Sequence, residues 1–343
     1  MLTKTDRMKD RQLQGKVITE YLTKYKDTAN LTLAKKIYNE NKLLFNNLET
    51  VRTTIRYYRG AKGEVRKEKL LDKTHIKPLA FGNKNPFALP NSYAQKRESY
   101  TFPLGNNNIL VLSDLHVPYH DISAITAALE YGLANKVNTI YLNGDVIDCA
   151  TISKFEPDPR ARSFKEEADS TRALLKVIRD TFPDAKIVWL KGNHDIRYEK
   201  YLFRKAPEIF DDSYYRLEER LRLNELGIEL LDEQVLVYAG KLIMTHGHLT
   251  IRGAFSPVNA ARGVFIRAKA SVLIGHQHQV SEHTEHNLKG EMISCWSTGC
   301  LCTLYQPYDP QNTKHSHGFA HVQVEKNGNY SVTNKRIVDG KIL

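Results

Sequence analysis

Residues 108–116 read Asn108-Ile-Leu-Val-Leu-Ser-Asp114-Leu-His116, and residues 139–148 read Thr139-Ile-Tyr-Leu-Asn-Gly144-Asp145-Val-Ile-Asp148. Each is a short apolar run of strand length that stops at a carboxylate. The same pattern returns three times. Lys186-Ile-Val-Trp-Leu runs into Lys191-Gly192-Asn193-His194-Asp195, Lys241-Leu-Ile-Met into Thr245-His246-Gly247-His248, and Ser271-Val-Leu-Ile into Gly275-His276-Gln277-His278. Amphipathic stretches over Ile122–Ala134 and Ser163–Thr181 separate several of these runs, so the chain from Asn108 onward reads as α/β. Ligand-type residues placed just after successive strands converge at one edge of such a sheet. Asp, Asn and His together are a mixed oxygen and nitrogen donor set, suited to manganese, iron, zinc or magnesium. They are too many for one ion, and a shared carboxylate holding two ions accounts for the number.

Taken singly, the pieces are weak. Asp-x-His occurs by chance, Gly-Asp-x-x-Asp also describes a turn with a helix cap, and Gly-His-x-His also describes two surface histidines. In this order, each after a predicted strand, they resemble the signature of the calcineurin-like metallophosphoesterases over about Asn108–Val324. The resemblance implies a four-layer αββα sandwich of two mixed β-sheets. It also implies two divalent metal ions, manganese foremost, with iron, zinc, magnesium or nickel as alternatives. Asp114, His116 and His278 would hold one ion, Asn193, His246 and His276 the other, and Asp145 would bridge them. A hydroxide between two cations forms near neutral pH and attacks phosphorus in line. By the same resemblance His194 protonates the leaving oxygen and Asp148 orients it.

Several residues stay open. His248 is a second histidine where the resemblance needs one and favours His246, which leaves His248 as a neighbour or a substrate contact. Arg197 and Arg262 are candidate phosphate contacts, or else surface or helix-pairing arginines. Cys295, Cys300 and Cys302 alternate like a strand and lack a paired Cys-x-x-Cys, so they read as buried thiols rather than a zinc site. His283, His286, His315 and His317 either line the cleft or are exposed in late loops.

The net charge of +11 is unevenly placed. Residues 1–100 carry 22 Lys and Arg against 10 Asp and Glu, whereas residues 101–343 carry 28 against 29. Apolar spacing predicts three helices there: Gln12–Lys26, Leu31–Asn39 and a third opening after Asn47. The third has a buried stripe of Leu48, Val51, Ile55 and Tyr58, with Arg52, Arg56 and Arg59 beside it. Residues 1–63 thus resemble a small all-α helix-turn-helix module, in which such arginines contact nucleic acid. A bundle whose arginines only solvate one face has the same pattern. Residues 64–107, with Pro78, Pro86, Pro90 and Pro103, read as a basic linker, and residues 108–343 as the hydrolase domain.

No apolar run is long enough for a membrane span or a secretory signal, and four cysteines do not make a disulfide scaffold, so a cytoplasmic protein is expected. The expected activity is hydrolysis of a phosphate ester, with nucleic acid as the favoured substrate of a phosphodiesterase or nuclease. The chain is similar to compact phosphoesterases of phage and prophage gene sets that carry short N-terminal helical modules. The alternative is a phosphatase or small-nucleotide phosphodiesterase whose N-terminal helices form a lid or an oligomerisation element. A non-enzymatic scaffold, as in polymerase small subunits of this fold, would have lost ligands that are all present here.

Overall fold

The structure, a computed structural model, describes residues 4–25, 28–59, 90, 98–153, 163–250, 258–305 and 314–343. It divides into two compact units, Met1–Ala94 and Gln95–Leu343.

The first unit contains helices α1 (Lys4–Lys24), α2 (Asn30–Glu40) and α3 (Leu48–Arg59). Their apolar faces meet in one core that includes Ile18, Leu22, Leu33, Ile37, Val51, Ile55 and Tyr58. α1 begins well before the expected Gln12. Residues 4–11 carry no apolar stripe to betray a helix, but five of the eight are Lys, Arg or Met, which favour one. Asn47 opens α3 as expected, its Oδ1 accepting from the Thr50 N–H at 2.8 Å. Residues 41–47 separate α2 from α3, a longer connection than the three- to four-residue turn of a helix-turn-helix.

The arginine stripe divides in its duties. Arg56 is exposed, and Arg52 pairs with Glu49 at 3.3 Å. Arg59, expected to contact nucleic acid, instead serves the bundle. Its guanidinium donates to the Thr28 carbonyl at 2.7 Å, Asn30 Oδ1 at 2.9 Å and the Tyr25 carbonyl at 3.4 Å. Those carbonyls lie where α1 ends, a place that leaves backbone oxygens without helical partners.

In the second unit the strands are β1 (Ser99–Thr101), β2 (Asn108–Leu112), β3 (Thr139–Asn143), β4 (Lys186–Leu190), β5 (Ile228–Leu231), β6 (Leu236–Ala239), β7 (Leu242–Thr245), β8 (Val272–Ile274), β9 (Val280–His286), β10 (Met292–Thr298), β11 (His317–Val324), β12 (Tyr330–Val338) and β13 (Lys341–Ile342). The helices are α4 (Ile122–Ala134), α5 (Phe164–Thr181), α6 (Arg197–Lys205), α7 (Leu217–Leu221) and α8 (Ala260–Ala268). Among the described residues one sheet runs β13-β12-β11-β2-β3-β4-β5 and the other β1-β6-β7-β8-β10-β9. Both are mixed: β2, β3, β4 and β5 are parallel neighbours, as are β7 and β8, while β11 pairs antiparallel with β2 and β9 with β10.

Strand alternation sorts the side chains into layers. Leu110, Leu112, Ile140, Leu142, Ile187 and Trp189 pack with α4 and α5 residues such as Ala128, Leu175 and Ile178. Their neighbours Ile109, Val111, Tyr141, Val188 and Leu190 face Val237, Leu242, Met244 and Leu273 of the other sheet. Val272 and Ile274 point the opposite way, onto Ala261 and Val264 of α8. The order is therefore helix, sheet, sheet, helix. Asp121 caps α4, and a Ser163–Glu166 capping box opens α5.

The stretch expected as linker, 64–107, lies largely outside the described residues. Its end is not a linker: Ser99–Thr101 pairs in parallel with Leu236–Tyr238. Tyr100 and Phe102 drive this, packing edge-on with ring centroids 5.4 Å apart, and Phe102 meets buried Tyr141 at 5.8 Å. No described helix is long and apolar enough to cross a membrane.

Arg59→Ala would take the guanidinium donor from the Thr28 carbonyl and from Asn30 Oδ1. It should lower that unit's stability by about 1–3 kcal/mol, read by chemical denaturation; Arg56→Ala should change it by less than about 0.5 kcal/mol.

Candidate metal centre

β2, β3, β4, β7 and β8 each end in the expected donors, and the parallel pairings bring their carboxyl ends to the same edges. The chain leaves the strands abruptly. Asp114, His116, Asp145, His276 and His278 have φ of 56°, 47°, 52°, 63° and 52°, the left-handed region that non-glycine residues seldom adopt. Two glycines make room. A Cβ on Gly144, itself at φ 85°, would strike the His246 ring, and one on Gly192 would strike the Asp145 carboxylate.

The seven expected ligands come together. His278 Nε2 lies 3.3 Å from Asp114 Oδ1 and 3.2 Å from His116 Nε2. On the other side His246 Nε2 lies 3.3 Å from Asn193 Oδ1, and His276 offers a ring nitrogen to the same cluster. Asp145 Oδ2 sits between the groups, 3.1 Å from His246 Nε2 and 3.8 Å from His116 Nε2. Donors bound to one ion at about 2.0–2.2 Å are separated by about 3–3.6 Å, so these spacings suit shared cations.

The ring orientations give the fit its chemical content. His246 Nδ1 donates to the Asn143 carbonyl at 2.7 Å and His116 Nδ1 to Asp148 Oδ1 at 2.7 Å. A neutral imidazole held this way presents an Nε2 lone pair inward. Those lone pairs face carboxylate and amide oxygens on Asp114, Asp145 and Asn193, with Asp114 and Asp145 buried. Only a positive charge between them is tolerable. A proton is one answer. Burial alone would lower His246, but the Asp145 and Asp114 carboxylates outweigh it and hold its pKa up at about 9. Burial likewise opposes ionisation of Asp114, yet His278 and His246 bring that carboxyl down to about 2. A divalent cation is the other answer, and it competes with the His246 proton.

Beside the ligands stands a second array. His194 Nδ1 donates to Asp148 Oδ1 at 2.8 Å, the same oxygen that accepts from His116. His194 Nε2 accepts from an Arg197 N–H at 2.8 Å, and Arg197 also donates to the Asp148 carbonyl at 3.0 Å. Asp148 therefore positions His116 as well as His194. His248 lies next to the cluster, its ring 5.3 Å from that of His246, and bonds Glu233 at 2.8 Å. Arg262 does not join them: it is exposed at the start of α8 and has no side-chain partner among the described residues. Cys149, Cys295, Cys300 and Cys302 are free, buried thiols, with Cys302 Sγ 3.8 Å from His278 Nδ1. The His315 ring lies tilted against that of His278 with centroids 4.5 Å apart, His317 bonds the Cys302 carbonyl, and His283 bonds Glu285 on β9.

Residues that motif reading passed over hold this array in place. Asp195 is fully buried and accepts from the backbone N–H of Asp145, Val146, Ile147 and Gly192 and from Trp189 Nε1, at 2.6–3.2 Å. Burial and the Asp145 charge push its pKa up to about 6, and the donors keep it ionised at neutral pH. Asn143 spans the sheets, donating to the Thr245 carbonyl while its own carbonyl holds His246. Ser113 donates to Asp114 Oδ2 at 2.6 Å. In the sequence Asp195 closes the Gly192–Asp195 run with no role assigned to it, and Asn143 and Ser113 stand only as neighbours of the motif residues.

Two outcomes follow. Because protons on His246 and His278, both held up by the buried carboxylates, must leave before cations bind, metal affinity should rise with pH through the neutral range. Titration calorimetry at several pH values reads this, together with proton release. Asp148→Asn should lower both metal affinity and rate, whereas His194→Ala should keep its metal and lose about 10²–10⁴-fold in kcat.

Comparison with known proteins agrees with the geometry. Residues 108–290 match the Calcineurin-like phosphoesterase family. The Gene 54 protein of Mycobacterium phage L5 is 26% identical over 187 residues, covering 52% of this chain and 72% of that protein. Among solved structures, the phosphoesterase Yfce from E. coli is similar at TM-score 0.31 and 13% identity, over 66% of this chain and 98% of its own. The Pseudomonas putida nuclease MPE is similar at TM-score 0.29 and 15% identity, over 66% and 87%. With the family matched over more than half its length, the chain belongs to the calcineurin-like phosphoesterases and is a metal-dependent phosphoesterase.

Proposed function

We propose that this phosphoesterase is a phosphodiesterase acting on nucleic acid. One observation carries the choice of substrate: the whole positive excess of the chain lies in residues 1–100, ahead of a hydrolase body near neutrality. A polyanion is the partner such a segment attracts. The helical bundle would act in the manner of a helix-turn-helix module, with exposed Arg56, and Arg52 once released from Glu49, meeting phosphates.

Asp114, His116, Asp145, Asn193, His246, His276 and His278 would hold two divalent ions, manganese by preference for this oxygen and nitrogen donor set. Bound ions supply Lewis-acid polarisation of the phosphate and a hydroxide nucleophile near neutral pH. The rest falls to the chain. Asp148 fixes one proton on His194 Nδ1, which leaves Nε2 as the nitrogen that exchanges a proton with the leaving oxygen. Arg197, already bonded to Nε2, is placed to turn its guanidinium onto the phosphate when His194 is engaged.

The test is hydrolysis, with added manganese, of bis(p-nitrophenyl) phosphate and end-labelled DNA side by side across a salt series. Both should be cut. DNA cleavage should fall steeply with salt, and ester hydrolysis should stay flat. Ester hydrolysis with DNA left intact, and RNA left intact in the same assay, would overturn the nucleic-acid reading and leave a small-substrate phosphoesterase.

A further inference from the structure

α6 leaves the metal centre directly, starting three residues after His194. Arg197, Lys200, Tyr201, Arg204 and Lys205 recur at i, i+3, i+4, i+7 and i+8, which is one face of a helix. All five line a single cleft of about 620 Å³, and the metal-ligand candidate Asn193 lines it too. The opposite face of α6 packs inward through buried Tyr198 and half-buried Leu202. The acidic residue of the helix, Glu199, is engaged by Lys191 at 2.5 Å. Among the described residues no ion pair joins Lys200, Arg204 or Lys205. A favourable helix dipole accounts for cations in the last turn. It does not account for their alignment with Arg197 and Asn193, or for an exposed tyrosine among them.

We infer that this face is a rail for a single strand of nucleic acid, whose scissile phosphate lies at the metal centre and whose flanking phosphates follow Lys200, Arg204 and Lys205. The inference rests on the nucleic-acid reading above and places a substrate site on the hydrolase unit itself. From Arg197 to Lys205 the helix rises about 12 Å, enough for several consecutive phosphates. Tyr201, exposed between the cations, offers a face on which a base can stack, the combination by which proteins hold single strands without reading sequence.

The test compares the full chain with a variant carrying Lys200→Ala, Arg204→Ala and Lys205→Ala, all at exposed positions. The probes are bis(p-nitrophenyl) phosphate and a single-stranded oligodeoxynucleotide of about 12 nucleotides. On the oligonucleotide, kcat/KM should fall at least about tenfold, mainly through KM, and the logarithmic salt slope should shrink by about 2. On the small ester it should stay within about twofold, because the variant leaves Arg197 and the metal ligands untouched. Tyr201→Ala should weaken the oligonucleotide by about tenfold with the salt slope unchanged. Unchanged oligonucleotide kinetics in the triple variant would overturn the rail while the nucleic-acid reading stood. Equal losses on both substrates would also overturn it, assigning α6 to the integrity of the centre. A wild-type protein that cuts the ester and not this oligonucleotide would overturn the rail, while the end-labelled DNA assay decides the nucleic-acid reading separately.

Discussion

The Asp195 carboxylate is the interaction on which the centre depends. It is fully buried, which is costly for a charge, and it recovers that cost by accepting five N–H groups. Those donors come from the loop after β3, the loop after β4 and the indole of β4. One side chain thus fixes the distance between Asp145 and the Gly192–His194 turn, to within the few tenths of an ångström that shared coordination requires. The Asp145 side chain answers by accepting the His194 N–H at 2.7 Å, so the two loops are locked in both directions.

Strain and repulsion are concentrated where chemistry needs them. Five ligand residues hold left-handed backbone, which disfavours folding by about 1 kcal/mol or more each. Buried carboxylates face imidazole lone pairs with no lysine or arginine among the ligands. Both costs are set against the two cores on either side of the first sheet, whose strands are buried on both faces. A cation relieves the repulsion, so metal binding and the stability of the loops are linked.

The centre was legible in the sequence because it is local. Each ligand follows its own strand within a few residues, so Asp114, Asp145, Asn193, His246 and His276 could be placed before any tertiary contact was known. Asn47, read as the residue that opens the third helix, is equally local. What stayed hidden was nonlocal. β1 is three residues long and exists only because β6 lies alongside it. Arg59 looked like one member of a helical stripe until the carbonyls at the end of α1 were seen beneath it. The Asp148 carboxylate looked like the orienter of one histidine, and it serves two, because His116 arrives from a different strand.

The same distinction bears on charge. Counting residues 101–343 gives near neutrality, which suggests a body indifferent to polyanions. Electrostatic attraction, however, decays within about 10 Å at moderate salt, so what a substrate meets is the local field and not the sum. The hydrolase unit balances its acids and bases unevenly. Many of its carboxylates are spent inside, as Asp114, Asp145, Asp148, Asp195 and Glu167 are, in the centre or next to it. Apart from buried Lys191, its described cations lie at or near the surface, and on α6 they fall on a single face that begins at the centre. An enzyme that buries acids to bind metal will present an excess of bases on its surface at equal totals. Where a helix gathers that excess at the mouth of the site, neutrality in the sequence conceals a path for an anionic strand.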